Sequence, residues 1–272
     1  MFRGIFLRFP GGKPKALTFS YDDGGAGDKR LLDILNQHNL KGTFNINTVK
    51  KEYQTAEGFK DYEGHEIAVH TEHHPILDHC HATAKLYEVF KCREKLEEVT
   101  GKIIRGMAYP YRYDGSKASY DALRTAGIAY ARVTPPTFDF KLPTDWYDWH
   151  PTCHHREERL MELADKFINA DVNNTDSAEK APLLFYVWGH TYEFNNNNNW
   201  YIIEDFAKVI SNKPDVWYAT NIEIYDYVEK FRHLIFSLDS KIIYNPTDIT
   251  LYFNMNEKEY SIRSGETIKV EY

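Results

Sequence analysis

Cysteine is scarce. Cys80, Cys92 and Cys153 are the only three in 272 residues; they cannot all pair within one chain and form no Cys-x-x-Cys pattern. A disulfide-stapled scaffold is excluded, and a reducing compartment suits such a chain. Long apolar runs are missing as well. None approaches the roughly 18–20 residues that cross a bilayer, so no membrane partner is expected. The opening stretch MFRGIFLRFP is interrupted by Arg3 and Arg8 and lacks the apolar core and small-residue cleavage site of a signal peptide, so the expected location is cytoplasmic. Nor is there an excess of basic residues: 33 Lys and Arg against 40 Asp and Glu give a net charge of −7. Nucleic acid, whose phosphates need a basic face, is therefore not an expected partner.

What is present is ordinary for a soluble domain, at 42% hydrophobic and 27% charged residues. The length allows one large α/β domain plus a small appendage. Aromatic residues make up 15%, with 20 Tyr and 5 Trp; core packing and sugar-stacking surfaces both account for such a content.

Short β-branched and aromatic runs alternate with amphipathic stretches, the pattern of a parallel sheet or barrel. Strands are predicted at 16–21, 42–47, 65–70, 103–109, 129–133, 183–188 and 216–220. Helices are predicted from Asp28, read as an N-cap, and at about 82–99, 116–126, 156–170, 201–212 and 222–238. Gly101 fits a helix C-terminal cap. About seven strand-plus-helix units result, enough to close or nearly close a barrel with its functional loops at the carboxyl ends of the strands. After about residue 239 the pattern changes to short strands separated by NPTD, NEKE and SGE turns, a small β appendage. The expected division is thus 1–238 for the barrel and 239–272 for the appendage. Five consecutive asparagines at 195–199 predict a solvated loop.

The chemistry concentrates at predicted strand ends. Ser20-Tyr21-Asp22-Asp23-Gly24 puts two adjacent carboxylates before a glycine turn, and His70-Thr71-Glu72-His73-His74 offers two histidines to one cation. An Asp-Asp-Gly-Gly run alone would serve equally as a surface turn. Together, two histidines and one aspartate leave coordination positions open for water and a substrate oxygen, as a catalytic metal requires. The remaining carboxylate could then act as general base. His190, at the end of strand 183–188, is the candidate acid.

Ser-Tyr-Asp-Asp-Gly resembles the T-F-D-D-G motif of the polysaccharide deacetylases, carbohydrate esterase family four, and His70-Thr71-x-x-His74 matches their H-[S/T]-x-x-H. The resemblance covers about residues 14–230 and looks like a bacterial branch of the family without an evident signal peptide. It implies a distorted seven-stranded β/α barrel in which Asp22 is the base and Asp23, His70 and His74 bind a divalent metal, zinc first, with cobalt, nickel or manganese as alternatives. Ala108-Tyr109-Pro110-Tyr111 resembles the family's R-x-P-Y, implying an oxyanion-hole N–H from Tyr111. Ala108 replaces the arginine that pairs with the base; Arg105, Arg112 and Arg132 are the candidate substitutes. Asp145-Trp146-Tyr147-Asp148-Trp149 resembles the family's D-x-x-D-W, implying that Asp148 orients His190 and that Trp149 walls the acetyl pocket. Tyr109, Pro110 and Trp188 join it as substrate-contacting candidates. Cys153-His154-His155 follows; a solvated helix start is the preferred reading over a second metal site there.

The implied function is metal-dependent removal of the N-acetyl group from an N-acetylated sugar or oligosaccharide, with Asp22 taking the proton of a metal-bound water as it attacks. Alternatives are an amidase or esterase acting on a non-polysaccharide substrate, and a sugar-binding protein that has lost activity.

Overall fold

The computed structural model describes residues 4–113, 115–172 and 182–271. Met1–Arg3 of the opening stretch and Tyr272 of the last predicted strand lie outside them. In chain order the elements are β1 (Ile5–Arg8), β2 (Lys15–Asp22), α1 (Asp28–Gln37), β3 (Gly42–Ile46), β4 (Glu66–Val69), α2 (Ala82–Thr100), β5 (Gly106–Ala108), α3 (Lys117–Thr125), β6 (Tyr130–Arg132), β7 (Cys153–His154), α4 (Leu160–Asn169), β8 (Leu183–His190), α5 (Thr191–Asn197), α6 (Tyr201–Ile210), β9 (Val216–Tyr218), α7 (Asn221–Arg232), β10 (Ile235–Phe236), β11 (Ile242–Tyr244), β12 (Leu251–Met255), β13 (Lys258–Ile262) and β14 (Thr267–Lys269).

The main sheet runs β6-β5-β4-β3-β2-β8-β7, all parallel, with β9 paired to the amino half of β2. Its two ends meet through residues 149–155. Trp149 bridges to β6, where its N–H reaches the Ala131 carbonyl at 3.2 Å and its own carbonyl accepts from Val133 N–H at 3.0 Å. A few residues on, Thr152 N–H and His155 N–H bond the Tyr186 and Trp188 carbonyls of β8, both at 2.8 Å. Seven strands therefore curl into a distorted barrel whose seam is this broken strand. Parallel strands need crossovers, and the helices that supply them bury Leu31, Leu35, Val89, Leu96, Phe167 and Phe206 against the outer face of the sheet. Among the described residues no helix is long and apolar enough to cross a membrane.

A second core joins the barrel interior at the amino ends of the strands, through Ala16, Leu184 and Tyr186, to α7 and the C-terminal strands through Ile224, Tyr227, Leu251 and Phe253. β12 pairs with β13 and with β1 from the N-terminus, and β10 begins a separate sheet β10-β11-β14. β1, β7 and β10 are additions to the predicted strands. The last helix, predicted to 238, ends at Arg232 because the chain turns into β10. Two local expectations are corrected. Gly27, not Asp28, is the N-cap of α1, and the Asp28 carboxylate instead accepts hydrogen bonds from Thr191 (2.5 Å) and Tyr62 (2.7 Å). The asparagine run is exposed but only its end is loop: Asn195–Asn197 complete α5, held by Trp200 Nε1–H to Asn195 Oδ1 at 2.9 Å and Asn197 Nδ2–H to the Glu193 carbonyl at 2.7 Å, and Asn198 closes the helix in the left-handed region at φ 50°.

Candidate active site

Strand register explains why residues far apart in sequence share one level of the barrel. Asp22, the last residue of β2, lies opposite Asn45 on β3 and His190 on β8. Side chains alternate along a strand, so Ser20 and Asp22 face one side while Tyr21 faces the other. Asn45 Nδ2–H donates to Ser20 Oγ at 2.8 Å and to Asp22 Oδ1 at 2.9 Å. The other oxygen, Asp22 Oδ2, accepts from the Arg132 guanidinium and stands 4.0 Å from both His70 Nε2 and His190 Nε2. Burial alone would push the Asp22 carboxyl up, but Arg132, with His70 and His190, outweighs it and holds the group below the usual carboxylate value. Asp22 is therefore an ionised acceptor in a buried position.

Arg132 resolves the question raised by Ala108. The two are register partners on β5 and β6, so the guanidinium arrives from the neighbouring strand at the same level. Its Cζ also lies 4.4 Å from the Trp188 ring centre. Arg105 pairs instead with Asp226 at 2.5 Å, and Arg112 with Asp78 at 2.6 Å.

Beside Asp22, Asp23 Oδ1 lies 3.3 Å from His74 Nε2 and 3.7 Å from His70 Nε2, and the two Nε2 atoms are 3.1 Å apart. Ligand bonds of ~2.0–2.2 Å in a tetrahedron place donor atoms about 3.3–3.5 Å apart, so the trio fits a cation such as zinc. Its protonation fits too. His70 Nδ1–H donates to the Ala108 carbonyl at 2.9 Å, which leaves the Nε2 lone pair facing the trio. Burial pushes the His70 imidazolium down to about 4 against the pull of Asp22 and Asp23, keeping the ring neutral as a ligand must be. Of the three residues between the histidines, two face elsewhere: Glu72 bonds Thr48 and Lys95, and His73 Nδ1 lies 2.9 Å from Glu88.

Four non-glycine residues here adopt positive φ: Asp23 (73°), Thr71 (63°), His74 (56°) and Tyr111 (59°). Such backbone costs energy and is held only where the surroundings over-determine it. At Gly24 (φ 67°) a Cβ would lie 2.5 Å from the Tyr53 ring, so the turn after Asp23 requires glycine. Tyr111 packs its ring edgewise on His74 at 4.8 Å, and its N–H makes no backbone hydrogen bond among the described residues. Asp22, Asp23, His70, His74, Tyr109, Tyr111, Trp188 and His190 all line one pocket of about 550 Å³, together with Asn47, Lys50, Thr134 and Tyr192.

Residues 10–131 match the family model for polysaccharide deacetylase. Over these residues the chain resembles the polysaccharide deacetylases. Among solved structures, a candidate polysaccharide deacetylase from Mycobacterium smegmatis is similar over 83% of this chain and 94% of its own, with TM-score 0.60 and 17% identity. The family-four domain of a multidomain xylanase from the hindgut metagenome of Trinervitermes trinervoides covers 80% of this chain and 91% of its own, at TM-score 0.52 and 16% identity. A family-four pseudoenzyme from Bacillus anthracis covers 81% and 68%, at TM-score 0.51 and 16% identity. At these identities the likeness is one of fold. No curated protein matches by sequence.

The family's fourth motif does not fall where the resemblance implied. Asp148 pairs with His150 at 3.1 Å, while the carboxylate beside His190 is Glu193, whose Oε2 lies 3.6 Å from His190 Nδ1. Trp149 is 1% exposed and packs edgewise on Tyr130, Tyr186 and Trp146, away from the pocket. Pro110 is not among the pocket's lining residues. The solvated helix start expected after Pro151 is a buried strand, because Cys153 and His155 follow the seam into the sheet. Sequence reasoning missed Asn45, Asn47 and Glu193. Asn45 carried a signal, since it stands in strand GTFNIN at the same level as Asp22; Glu193, in a helix begun by His190, carried none of motif strength.

Proposed function

We propose that the protein is a metal-dependent deacetylase that hydrolyses the N-acetyl group of an N-acetylated sugar or oligosaccharide. The observation that carries this reading is the single row Asp23/His70/His74, Asp22 and His190: a ligand trio, an ionised carboxylate and an imidazole around one open pocket. A divalent cation held by Asp23, His70 and His74, zinc being the first candidate, would supply Lewis-acid polarisation of the acetyl carbonyl and of the attacking water.

The chain's own residues supply the rest. Asp22 Oδ2 takes the proton of the attacking water, held ionised by Arg132 and oriented by Asn45. The Tyr111 N–H, which makes no backbone hydrogen bond among the described residues, donates to the oxyanion as it forms. His190 Nε2 gives a proton to the departing nitrogen, so that a neutral amine and acetate leave. Burial alone would lower the His190 imidazolium, but Glu193 and Asp22 raise it above its ordinary value, which favours the proton-carrying form an acid needs. Trp188 and Tyr109 offer apolar walls for the acetyl group and sugar ring.

The experiment is acetate release from short N-acetylated oligosaccharides, acetylxylan and small amides, before and after chelation and with zinc, cobalt, nickel or manganese restored. Release from the N-acetyl sugars that vanishes on chelation and returns with metal supports the proposal. Equal or greater turnover of the small amides or the O-acetyl ester would move the substrate class to the amidase or esterase alternative. The absence of any turnover would favour the sugar-binding alternative, a role compatible with a fold that a pseudoenzyme shares; the placement of Arg132 on Asp22 speaks against it.

A further inference from the structure

Behind His190, on the side away from Asp22, Glu193 sits in the first turn of α5 among four nitrogen-bearing side chains. Its Oε2 is 3.0 Å from His154 Nε2, 3.3 Å from His155 Nε2 and 3.6 Å from His190 Nδ1, and its Oε1 is 3.4 Å from the Arg156 guanidinium. The same Oε2 accepts the His190 backbone N–H at 3.4 Å. His155 is fully buried, stacked between Tyr21 (5.7 Å, 10°) and Phe194 (4.1 Å, 24°).

His154, His155 and Glu193 have the composition of a second metal site. Their hydrogen bonds say otherwise. His154 Nδ1 accepts the Arg156 backbone N–H at 3.1 Å, so in the neutral ring the proton is on Nε2, the atom that faces Glu193. A ligating histidine has the reverse arrangement, with its outer nitrogen donating. Glu193 thus faces the protonated Nε2 of His154 and the Arg156 guanidinium rather than ligand lone pairs, and it accepts the His190 backbone N–H.

We propose that Glu193 is the positioning carboxylate of His190: held between His154, Arg156 and the His190 backbone N–H, it faces the Nδ1 side of the imidazole so that Nε2 faces the pocket beside Asp22. This rests on the reading of His190 as the acid. It assigns to a residue three positions after His190 the role that the family resemblance gave to Asp148. The 3.6 Å separation lies just beyond hydrogen-bond length, and such contacts tighten when substrate fills the site.

The test uses substrates that differ in their need for an acid. An N-acetylated oligosaccharide expels an amine and requires a proton; 4-nitrophenyl acetate expels a stable phenolate and does not. Glu193→Gln in the metal-loaded protein is expected to lower kcat on the oligosaccharide by roughly 10- to 100-fold, with KM changed little, and to leave turnover of the aryl ester within about threefold. Glu193→Asp, which keeps the charge and shortens the reach, is expected to fall between and serves if the glutamine variant does not fold. Equal losses on both substrates would show a merely structural role, and unchanged oligosaccharide turnover would remove Glu193 from the reaction. A second equivalent of zinc, lost on His154→Ala, would overturn the proposal in favour of a metal site. If the native protein turns over neither substrate, the deacetylase reading fails by itself, and imidazole ¹⁵N shifts decide the Glu193 contact: His190 Nδ1 resonances that differ between native protein and Glu193→Gln uphold it, and identical ones overturn it.

Discussion

Asp23, His70 and His74 on one side of His190, and His154, His155 and Glu193 on the other, have nearly the same composition and similar spacing. They differ in where their protons go. In the first group the outer nitrogen of His70 donates to a carbonyl and the inner one is left with a lone pair. In the second the outer nitrogen of His154 is already an acceptor, and the carboxylate is surrounded by N–H groups. Residue type brings both groups to notice, but only hydrogen bonds to atoms outside each trio distinguish a place for a cation from a brace.

The largest effect that would break this contrast comes from the ligands. Loss of an outer partner of a metal ligand typically costs about 10–100-fold in affinity or activity, so loss of a ligand itself should cost more. His70→Ala is expected to abolish stoichiometric metal binding and to lower deacetylation by more than about 100-fold, whereas His154→Ala should retain one equivalent of metal. Metal content by atomic emission checks both, and equal losses of metal in the two variants would erase the distinction.

Arg132→Met is the next largest. It leaves Asp22 as a buried carboxylate without its main countercharge, and breaking one side of a buried pair costs about 3–5 kcal/mol. Because Arg132 favours the charged form, its removal raises the Asp22 pKa. The acid limb of kcat/KM should therefore move to higher pH, and denaturant unfolding should show the stability loss. An acid limb that stays in place would mean that Asp22 is not the titrating base.

Within the brace, Gly189 is the sensitive point. A Cβ there would lie 1.9 Å from His155 Nδ1, in a ring stacked on both faces. Gly189→Ala is expected to cost about 1–3 kcal/mol and to weaken oligosaccharide turnover by displacing His155 and Glu193. Metal affinity should be unaffected, since Asp23, His70 and His74 lie across the pocket; calorimetric titration would reveal any change.

The sequence reveals these two groups unequally for physical reasons. Asp22-Asp23 and His70-x-x-x-His74 are local, each set by one strand end, and barrel topology alone makes them converge. Strand periodicity and glycine caps likewise follow from local preference, which is why β2, β3, β4 and the α2 terminus at Gly101 fall where predicted. Arg132 was one of three undistinguished arginines, because its choice depends on β5 and β6 being paired in register. Glu193 was invisible because the asparagine run after it read as solvated chain, although Trp200 and the Glu193 carbonyl hold Asn195 and Asn197 in α5. Asp148 was misplaced because a motif gives residue order, whereas the seam at Trp149 fixes which way the carboxylate points.

A third buried group sharpens the contrast with the smallest effect. Glu66 Oε2 accepts from Thr43 Oγ1–H and Ile222 N–H, both at 2.8 Å, and Oε1 accepts from Tyr130 O–H at 2.7 Å. Like Glu193, it is surrounded by protein donors, but no cation lies among them. Burial therefore wins and pushes its carboxyl up to about 7, against the downward pull of those hydrogen bonds. A raised carboxyl pKa means that the folded state keeps a proton the unfolded chain releases, so this contribution to stability is full below about pH 4.5 and is lost as pH rises to about 7. The shift corresponds to about 3 kcal/mol across that window. Glu66→Gln keeps the shape, can still accept from Thr43 and Ile222, and cannot ionise. Urea unfolding at pH 5 and pH 7.5 should show a smaller decline in stability for the variant than for the native protein. A native-sized decline in Glu66→Gln would mean that Glu66 titrates normally and that surrounding a carboxylate with neutral donors is enough to keep it charged.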